Sequence, residues 1–351
     1  MTYIVKPKVR HPSLPINNIG LTSRDYEGVM STLCAGCGHD SITAAIVQAV
    51  FELSIPPHRM AKLSGIGCSS KTTAYFVGQS HGFNSVHGRM PSIATGANAG
   101  NRDLIYVGVS GDGDSLSIGL GQLCHAIRRN VDILYLIENN GVYGLTKGQF
   151  SASADIGSKS KRGEENRQSP IDPVSLALTL GATFVARSFS GDKSQLVPIL
   201  KAGFQHRGFA LVDIISPCVA FNDHEGSTKS YMYTREHSVP ITVADFIPHA
   251  DEITTSYEAG TTQAVMLHDG SVVRFTKVPE DYDPTNRDAV VQYLAERRKG
   301  GEVATGLLYV DPTGHDMHST LGTVERPLAQ VPFEELCPGS EALEKLQQVF
   351  R

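Results

Sequence analysis

The chain has no apolar run near the ~18 residues that a membrane-crossing helix needs. Its start, "MTYIVKPKVRHPSLP", lacks the apolar stretch of an export signal. The first absence argues against a membrane protein; the second makes the cytoplasm the expected compartment. There is no long block of lysine and arginine, and the formal net charge is -5, so the electrostatic footprint of a nucleic-acid binder is missing. Internal repeats are also missing. Six cysteines are scattered through 351 residues, which does not suit a disulfide framework and leaves metal, redox or core roles.

What is present suits a folded chain of one large domain with extensions, or of two domains, 40% hydrophobic and 19% charged. Residues 1–30, rich in Pro, Asn and charge, read as an N-terminal arm. "SITAAIVQAVFEL" has helical spacing and follows "CAGCGHD", where Asp40 or Ser41, or His39 beside them, is a candidate cap. "MAKLSGIGC" reads as a strand entering a glycine turn. "LIYVGVS", "DILYLIE", "ATFVARS" and "FALVDIIS" read as further strands, with helical "SIGLGQLCHAIRR", "PVSLALTL" and "SQLVPILKAGF" between them. That alternation predicts an α/β fold over residues 31–220: a mostly parallel sheet with helices on both faces. Beyond Phe221 the pattern is polar. "AVMLHDGSVVRFTKV" suggests a hairpin around Asp269 and Gly270, and "AVVQYLAERRK" and "EALEKLQQVF" suggest helices. This C-terminal extension, 221–351, has little apolar run of its own and is expected to pack on the core or on a partner subunit.

Two motifs carry chemistry. "VSGDGDSLSIG" ends one apolar run, and "ENNGVYGLTKGQ" ends the next. Asp112 and Asn140 are 28 positions apart, roughly one strand, helix and strand. Both would lie at carboxyl ends of parallel strands, where open α/β sheets bind ligands. On neighbouring strands, one Mg²⁺ would reach the Asp112 carboxylate, the Asn140 amide oxygen and the Val142 carbonyl, and complete its shell with diphosphate oxygens. Glycines let the main chain approach the phosphates, and a helix starting near Ser115 would point its N-terminus at them. The loop lacks the further ligands of an EF-hand. Together the two motifs resemble the thiamine-diphosphate fingerprint.

Cys34 and Cys37 form C-A-G-C, Cys68 follows after 30 intervening residues, and Cys218 after 149 more. Zinc sites usually pair two close sets, and a thioredoxin-type C-x-x-C has no need of Cys68 or Cys218. An iron–sulfur cluster needs four thiolates without adjacency in sequence. Cys68 and Cys218 both follow expected strands on the same rim as the diphosphate site. Cys124 and Cys337 read as incidental thiols.

In order, "LCAGCGHD", "SGIGCSS", "HGRMPSIATG", "VSGDGDSLSIG", "NNGVYGLTKGQ" and "SPC" resemble the β subunits of the 2-oxoacid:ferredoxin oxidoreductases, within them the 2-oxoglutarate branch. Leu33 and Ala35 depart from that family's frequent Trp and Pro around the first cysteine. The resemblance implies a thiamine-diphosphate-binding fold, with Cys34, Cys37, Cys68 and Cys218 on a [4Fe-4S] cluster and Asp112, Asn140 and Val142 on Mg²⁺. Ile66, Gly67, Cys68, Ser69, His87, Gly113, Asp114, Gly144 and Leu145 would line thiamine diphosphate. His87, Arg89, Leu145 and Lys71 would act in catalysis, with Lys71, Arg89 and Lys147 as candidates for a distal carboxylate. It also implies coenzyme A as co-substrate, ferredoxin as electron acceptor, and an α subunit that completes the active site in an αβ or (αβ)₂ heteromer. A different 2-oxoacid, a non-redox thiamine-dependent lyase subunit and a zinc-bearing assembly subunit are the competing readings.

Overall fold

The computed structural model describes residues 11–241, 262–266, 272–276 and 282–350. Eight strands share one sheet: β1 (Met60–Ser64), β2 (His81–Asn84), β3 (Ile105–Gly111), β4 (Ile133–Asn139), β5 (Phe184–Phe189), β6 (Phe209–Ile215), β7 (Ser238–Pro240) and β8 (Val303–Val310). Their order across the sheet is β2, β1, β3, β4, β6, β5, β8, β7. From β2 to β5 every pairing is parallel; β8 then runs antiparallel to β5, with β7 parallel to it. The helices used below are α1 (Gly38–Glu52), α2 (Cys68–Thr72), α3 (Met90–Gly100), α4 (Leu120–Arg128), α5 (Pro173–Leu180), α6 (Lys193–Gln205), α7 (Tyr231–His237) and α8 (Arg287–Lys299).

The central strands are apolar at consecutive positions because both faces of the sheet are covered. In β4, Ile133, Tyr135 and Ile137 join a core with residues of α3, α4, α5 and α8, while Leu134 and Leu136 join one with α1 and α6. Helix α1 presents Ile42, Ala45, Ile46, Ala49 and Val50 as one buried stripe and packs along α6. Truncating a fully buried residue such as Leu136 to alanine would cost about 2–5 kcal/mol.

Three sequence expectations are corrected. Helix α1 starts at Gly38 with Cys37 in the cap position, so Asp40, Ser41 and His39 do not cap it. The C-A-G-C turn leads straight into the helix: the Cys37 amide donates to the Cys34 carbonyl, and the Asp40 amide to the Cys37 carbonyl. The segment after Asp112 does not enter an α-helix near Ser115. It makes a wider, π-type turn over Gly113–Ile118, closed by the Gly119 amide on the Asp114 carbonyl at 2.8 Å, before α4 begins at Leu120. The C-terminal region also holds an apolar run that its polar surroundings hid, the "GLLYV" of β8, which adds to the main sheet.

The helices expected at 289–299 and 341–350 form as Arg287–Lys299 and Ser340–Val349. Thr262–Met266 pairs antiparallel with Val272–Thr276, as a hairpin requires, while its turn at Asp269 and Gly270 lies outside the described residues, as do residues 1–10 of the arm. Among the described residues no helix is long and apolar enough to cross a membrane.

Candidate active site

Strands β1, β3, β4 and β6 are adjacent and parallel, so the segments leaving Ser64, Gly111, Asn139 and Ile215 emerge together. That alone brings Cys68, Asp112, Asn140 and Cys218 to one rim. Hydrogen bonds then lock the two acidic-glycine and asparagine loops into each other. Asp112 is buried, and its Oδ2 accepts from the Gly141 amide at 2.9 Å, from the Ser153 hydroxyl at 2.6 Å and from the Ser151 hydroxyl. Burial pushes the Asp112 carboxyl up, opposed by the Ser151 and Ser153 hydroxyls and by the charge of Lys229. Asn140 accepts the Val142 amide on its side-chain oxygen at 3.0 Å, and its own carbonyl accepts from Asn222 at 2.8 Å. The Tyr143 hydroxyl donates to the Gly113 carbonyl at 2.8 Å, with its ring so close that a Cβ on Gly113 would stand 2.5 Å from Cε1. Only glycine fits there.

The donors that Asp112, Asn140 and Val142 offer are all oxygens: a carboxylate, an amide and a carbonyl. They suit a hard divalent cation such as Mg²⁺. Asp114, two residues on, is placed differently. It is buried, and its carboxylate accepts from the Gly88 amide at 2.7 Å and the Ser110 hydroxyl at 2.9 Å, joining the "HGR" turn to β3. Burial raises its pKa, and hydrogen bonds from the Gly88 amide, the Ser110 hydroxyl and the Ile66 amide oppose the rise. Ile66 and Gly67 are half-buried and Ser69 is buried, in the turn from β1 into α2. His87, Arg89, Leu145 and Lys147 stand exposed, while Lys71 is half-buried and donates to the Thr32 hydroxyl at 3.2 Å.

The four cysteines meet beside this centre. A Cβ on Gly144 would lie 3.4 Å from Cys68 Sγ and 3.7 Å from Cys218 Sγ, and the Cys34–Cys37 turn reaches Val219 through Gly36. None of the four is in a disulfide; Cys34 is exposed and the others half-buried. Burial pushes the Cys37 thiol up to about 12, with Glu138, Cys218 and Cys68 adding to the rise. Burial and the neighbouring cysteines likewise raise Cys68, and burial raises Cys218. Among the described residues, no three His, Cys, Asp or Glu side chains gather closely enough to hold a single metal ion. Four free thiols drawn from three segments suit a polynuclear cluster, whose irons spread the ligands apart and displace their protons.

Sequence reasoning did not single out Ser151 and Ser153, which pin Asp112, nor Asn222, nor Lys229, whose stem lies against Gly141. The serine pair in "QFSASAD", just after the asparagine motif, was the one available signal.

Residues 65–214 match the family described as thiamine pyrophosphate enzyme, C-terminal TPP binding domain. Among curated proteins, the chain is 33% identical over 216 residues to the 2-oxoglutarate synthase subunit KorB of Methanocaldococcus jannaschii, covering 60% of this chain and 79% of that protein. It is 44% identical over 191 residues to the 2-oxoglutarate oxidoreductase subunit KorB of Mycobacterium tuberculosis, covering 54% of this chain and 51% of that protein. It is 40% identical over 207 residues to the 2-oxoacid:ferredoxin oxidoreductase subunit beta of Saccharolobus solfataricus, covering 59% of this chain and 67% of that protein. The chain is a member of the 2-oxoacid:ferredoxin oxidoreductase β-subunit family. Among solved structures, this β subunit resembles a chain of the 2-oxoglutarate:ferredoxin oxidoreductase from Magnetococcus marinus, solved with 2-oxoglutarate, coenzyme A and succinyl-CoA bound. The TM-score is 0.72 at 29% identity, covering 92% of this chain and 98% of that one. The matched stretch spans about half of the M. tuberculosis relative, 51% of its length.

Proposed function

We propose that this β subunit, with an α subunit, carries out the oxidative decarboxylation of 2-oxoglutarate. In that reaction 2-oxoglutarate, coenzyme A and two oxidised ferredoxins give succinyl-CoA, carbon dioxide, a proton and two reduced ferredoxins, reversibly. The observation that carries the reading is the meeting of the Asp112–Asn140 centre with four free cysteines at one rim, the Asn140 loop reaching Cys68 and Cys218 at Gly144. When bound, thiamine diphosphate supplies an electron sink for the decarboxylation and a [4Fe-4S] cluster takes electrons singly.

Asp112, Asn140 and the Val142 carbonyl would hold Mg²⁺, and Cys34, Cys37, Cys68 and Cys218 would hold the cluster. Ile66 to Ser69, His87, Gly113, Asp114, Gly144 and Leu145 would line thiamine diphosphate. Asp114 does so indirectly, by fixing the Gly88 turn beside His87. Cys68 belongs to both groups, which keeps the electron path short. His87, Arg89 and Leu145 stand exposed on this chain, as residues awaiting closure by the α subunit would. A dicarboxylic substrate needs a cation at its far end, and Lys71, Arg89 and Lys147 are the candidates. The names of the KorB relatives and of the M. marinus enzyme support 2-oxoglutarate. The S. solfataricus relative, named for 2-oxoacids in general, favours a second reading with a broader acid range.

The test is coenzyme A-dependent reduction of ferredoxin by the anaerobically purified complex, with 2-oxoglutarate and pyruvate in parallel. Reduction with 2-oxoglutarate alone is expected. Reduction with both selects the broader range, and reduction with neither overturns the redox reading in favour of a non-redox lyase.

A further inference from the structure

His39 lies two residues after Cys37, buried in the first turn of α1, where it caps nothing. Its Nδ1 is hydrogen-bonded to the Ser216 hydroxyl at 2.6 Å. Ser216 stands two residues before Cys218 and is itself fixed to the end of β4, its amide donating to the Asn139 carbonyl at 2.8 Å. The two chain segments also touch at the residue between Cys37 and His39: the Gly38 amide points at the Pro217 carbonyl at 3.4 Å. A Cβ on Gly38 would stand 2.5 Å from Ser216 Oγ and 2.7 Å from Ser190 Oγ, so the approach requires glycine. A third tie comes from α7, where the Tyr231 hydroxyl donates to the Gly36 carbonyl at 3.0 Å. The carboxylate of Glu138, fully buried on β4, approaches His39 Nδ1 only at 3.5 Å, which makes Ser216 the bonded partner.

We infer that His39, through Ser216, is a positioning residue of the four-cysteine site, clamping the Cys34–Cys37 turn to the strand end that carries Cys218. The need for such a clamp follows from the connectivity. Cys34 and Cys37 precede α1, Cys68 opens α2, and Cys218 follows β6, so no short loop fixes the first pair against the fourth ligand. A buried imidazole does so with one hydrogen bond, in a place where water cannot replace the lost partner. Residues that orient ligands in this way typically change metal affinity by about 10- to 100-fold when removed.

The inference rests on the cluster reading above, and the test separates the two. In the anaerobically purified complex, iron and sulfide per β subunit, the rate of iron loss to a chelator and the cluster midpoint potential are measured for wild type, His39→Ala, His39→Asn, Ser216→Ala, the double variant His39→Ala with Ser216→Ala, and Glu138→Gln. His39→Ala and Ser216→Ala are expected to lose iron about tenfold faster, with a shifted potential, and the double variant to be no worse than the poorer single one. His39→Asn, whose amide nitrogen occupies the place of Nδ1, is expected to restore most of the wild-type rate. Ser216→Ala removes one oxygen, so it carries the test if His39→Ala does not fold. Wild-type iron retention and potential in Ser216→Ala would overturn the clamp while leaving the cluster in place. So would loss of iron in Glu138→Gln but not in Ser216→Ala, because the carboxylate would then be the partner that matters. A wild-type β subunit without iron would overturn the cluster reading, and the clamp with it.

Discussion

The two rims of one sheet are both polar, and they are built in opposite ways. At the carboxyl rim, polar side chains are buried and converge: three donors meet on one oxygen of Asp112, and three on the carboxylate of Asp114. At the amino rim, a cleft of about 510 Å³ is lined by Arg59, Arg102, Asp103, Asp132, His206 and Arg207. There Arg59 donates to the Asp103 carbonyl, and Arg207, 79% exposed, reaches Asp132 at 3.2 Å. Water substitutes freely for the exposed partners and poorly for the buried ones. The contrast teaches that polarity at a strand end is no sign of a site. Burial with internal convergence is, and changes at the carboxyl rim should alter ligand binding while changes at the amino rim touch only stability.

The sharpest break of that contrast would come from Cys68. Cys68→Ser is expected to abolish the cluster, seen as loss of iron and visible absorbance, while Mg²⁺-dependent thiamine diphosphate binding persists in the same preparation. Full iron content would remove Cys68 from the ligand set. Asp112→Asn should do the reverse, keeping iron and weakening calorimetric thiamine diphosphate binding by more than the roughly 100-fold upper range for outer residues. Ser153→Ala, which removes one of the three donors from Asp112, should cost about tenfold in the same titration. Affinity equal to wild type would show that Asp112 needs no pinning.

Which of these residues a reader of the sequence finds depends on how the information is carried. The sheet was legible because β3, β4, β5 and β6 are apolar runs separated by helical spacing. The Asp112–Asn140 pair was legible because one strand, helix and strand returns the chain to a neighbouring strand end. Ser151 and Ser153 look like any loop serines until folding aims both at one carboxylate. The contact of His39 with Ser216 joins positions that no local pattern relates. Strand β8 was hidden by its setting: a short apolar run in a polar region, pairing antiparallel so that Gly306 stands opposite Arg187. The cap of α1 was misread because residue preference favoured Asp40 or Ser41, while the turn between two cysteines had already started the helix.

At the amino rim the expected effects are on stability and pH. His206 meets the Thr183 hydroxyl at 2.7 Å through Nε2, and burial holds its pKa down to about 4, with Asp311 opposing. The unfolded chain takes up a proton near 6.5 and the folded one only near 4, so stability is full above 6.5 and is lost as pH falls between those values. His206→Gln keeps a donor at the place of Nε2 without the titration. Between pH 7 and 5.5 the wild type should lose about 1 kcal/mol relative to this variant in denaturant unfolding. Taking the difference between the two proteins cancels the other groups that titrate in that range. Parallel pH profiles would show that His206 is as free to take a proton in the folded chain as in the unfolded one.

The smallest effect is expected at Arg207. Its guanidinium is mostly in water, and Asp132 keeps a second donor, the Gly208 amide at 3.3 Å, when the arginine is gone. Exposed pairs of this kind contribute about 0–1 kcal/mol, and salt screens them further. Arg207→Ala should therefore shift the unfolding midpoint barely beyond the scatter of repeated measurements. Iron content and thiamine diphosphate affinity should stay at wild-type values, since Arg207 lies at the opposite end of the strands from Asp112. A clear loss of either ligand on removing Arg207 would mean that the two rims communicate through the strands themselves, and the division between a binding rim and a supporting one would fail at its weakest point.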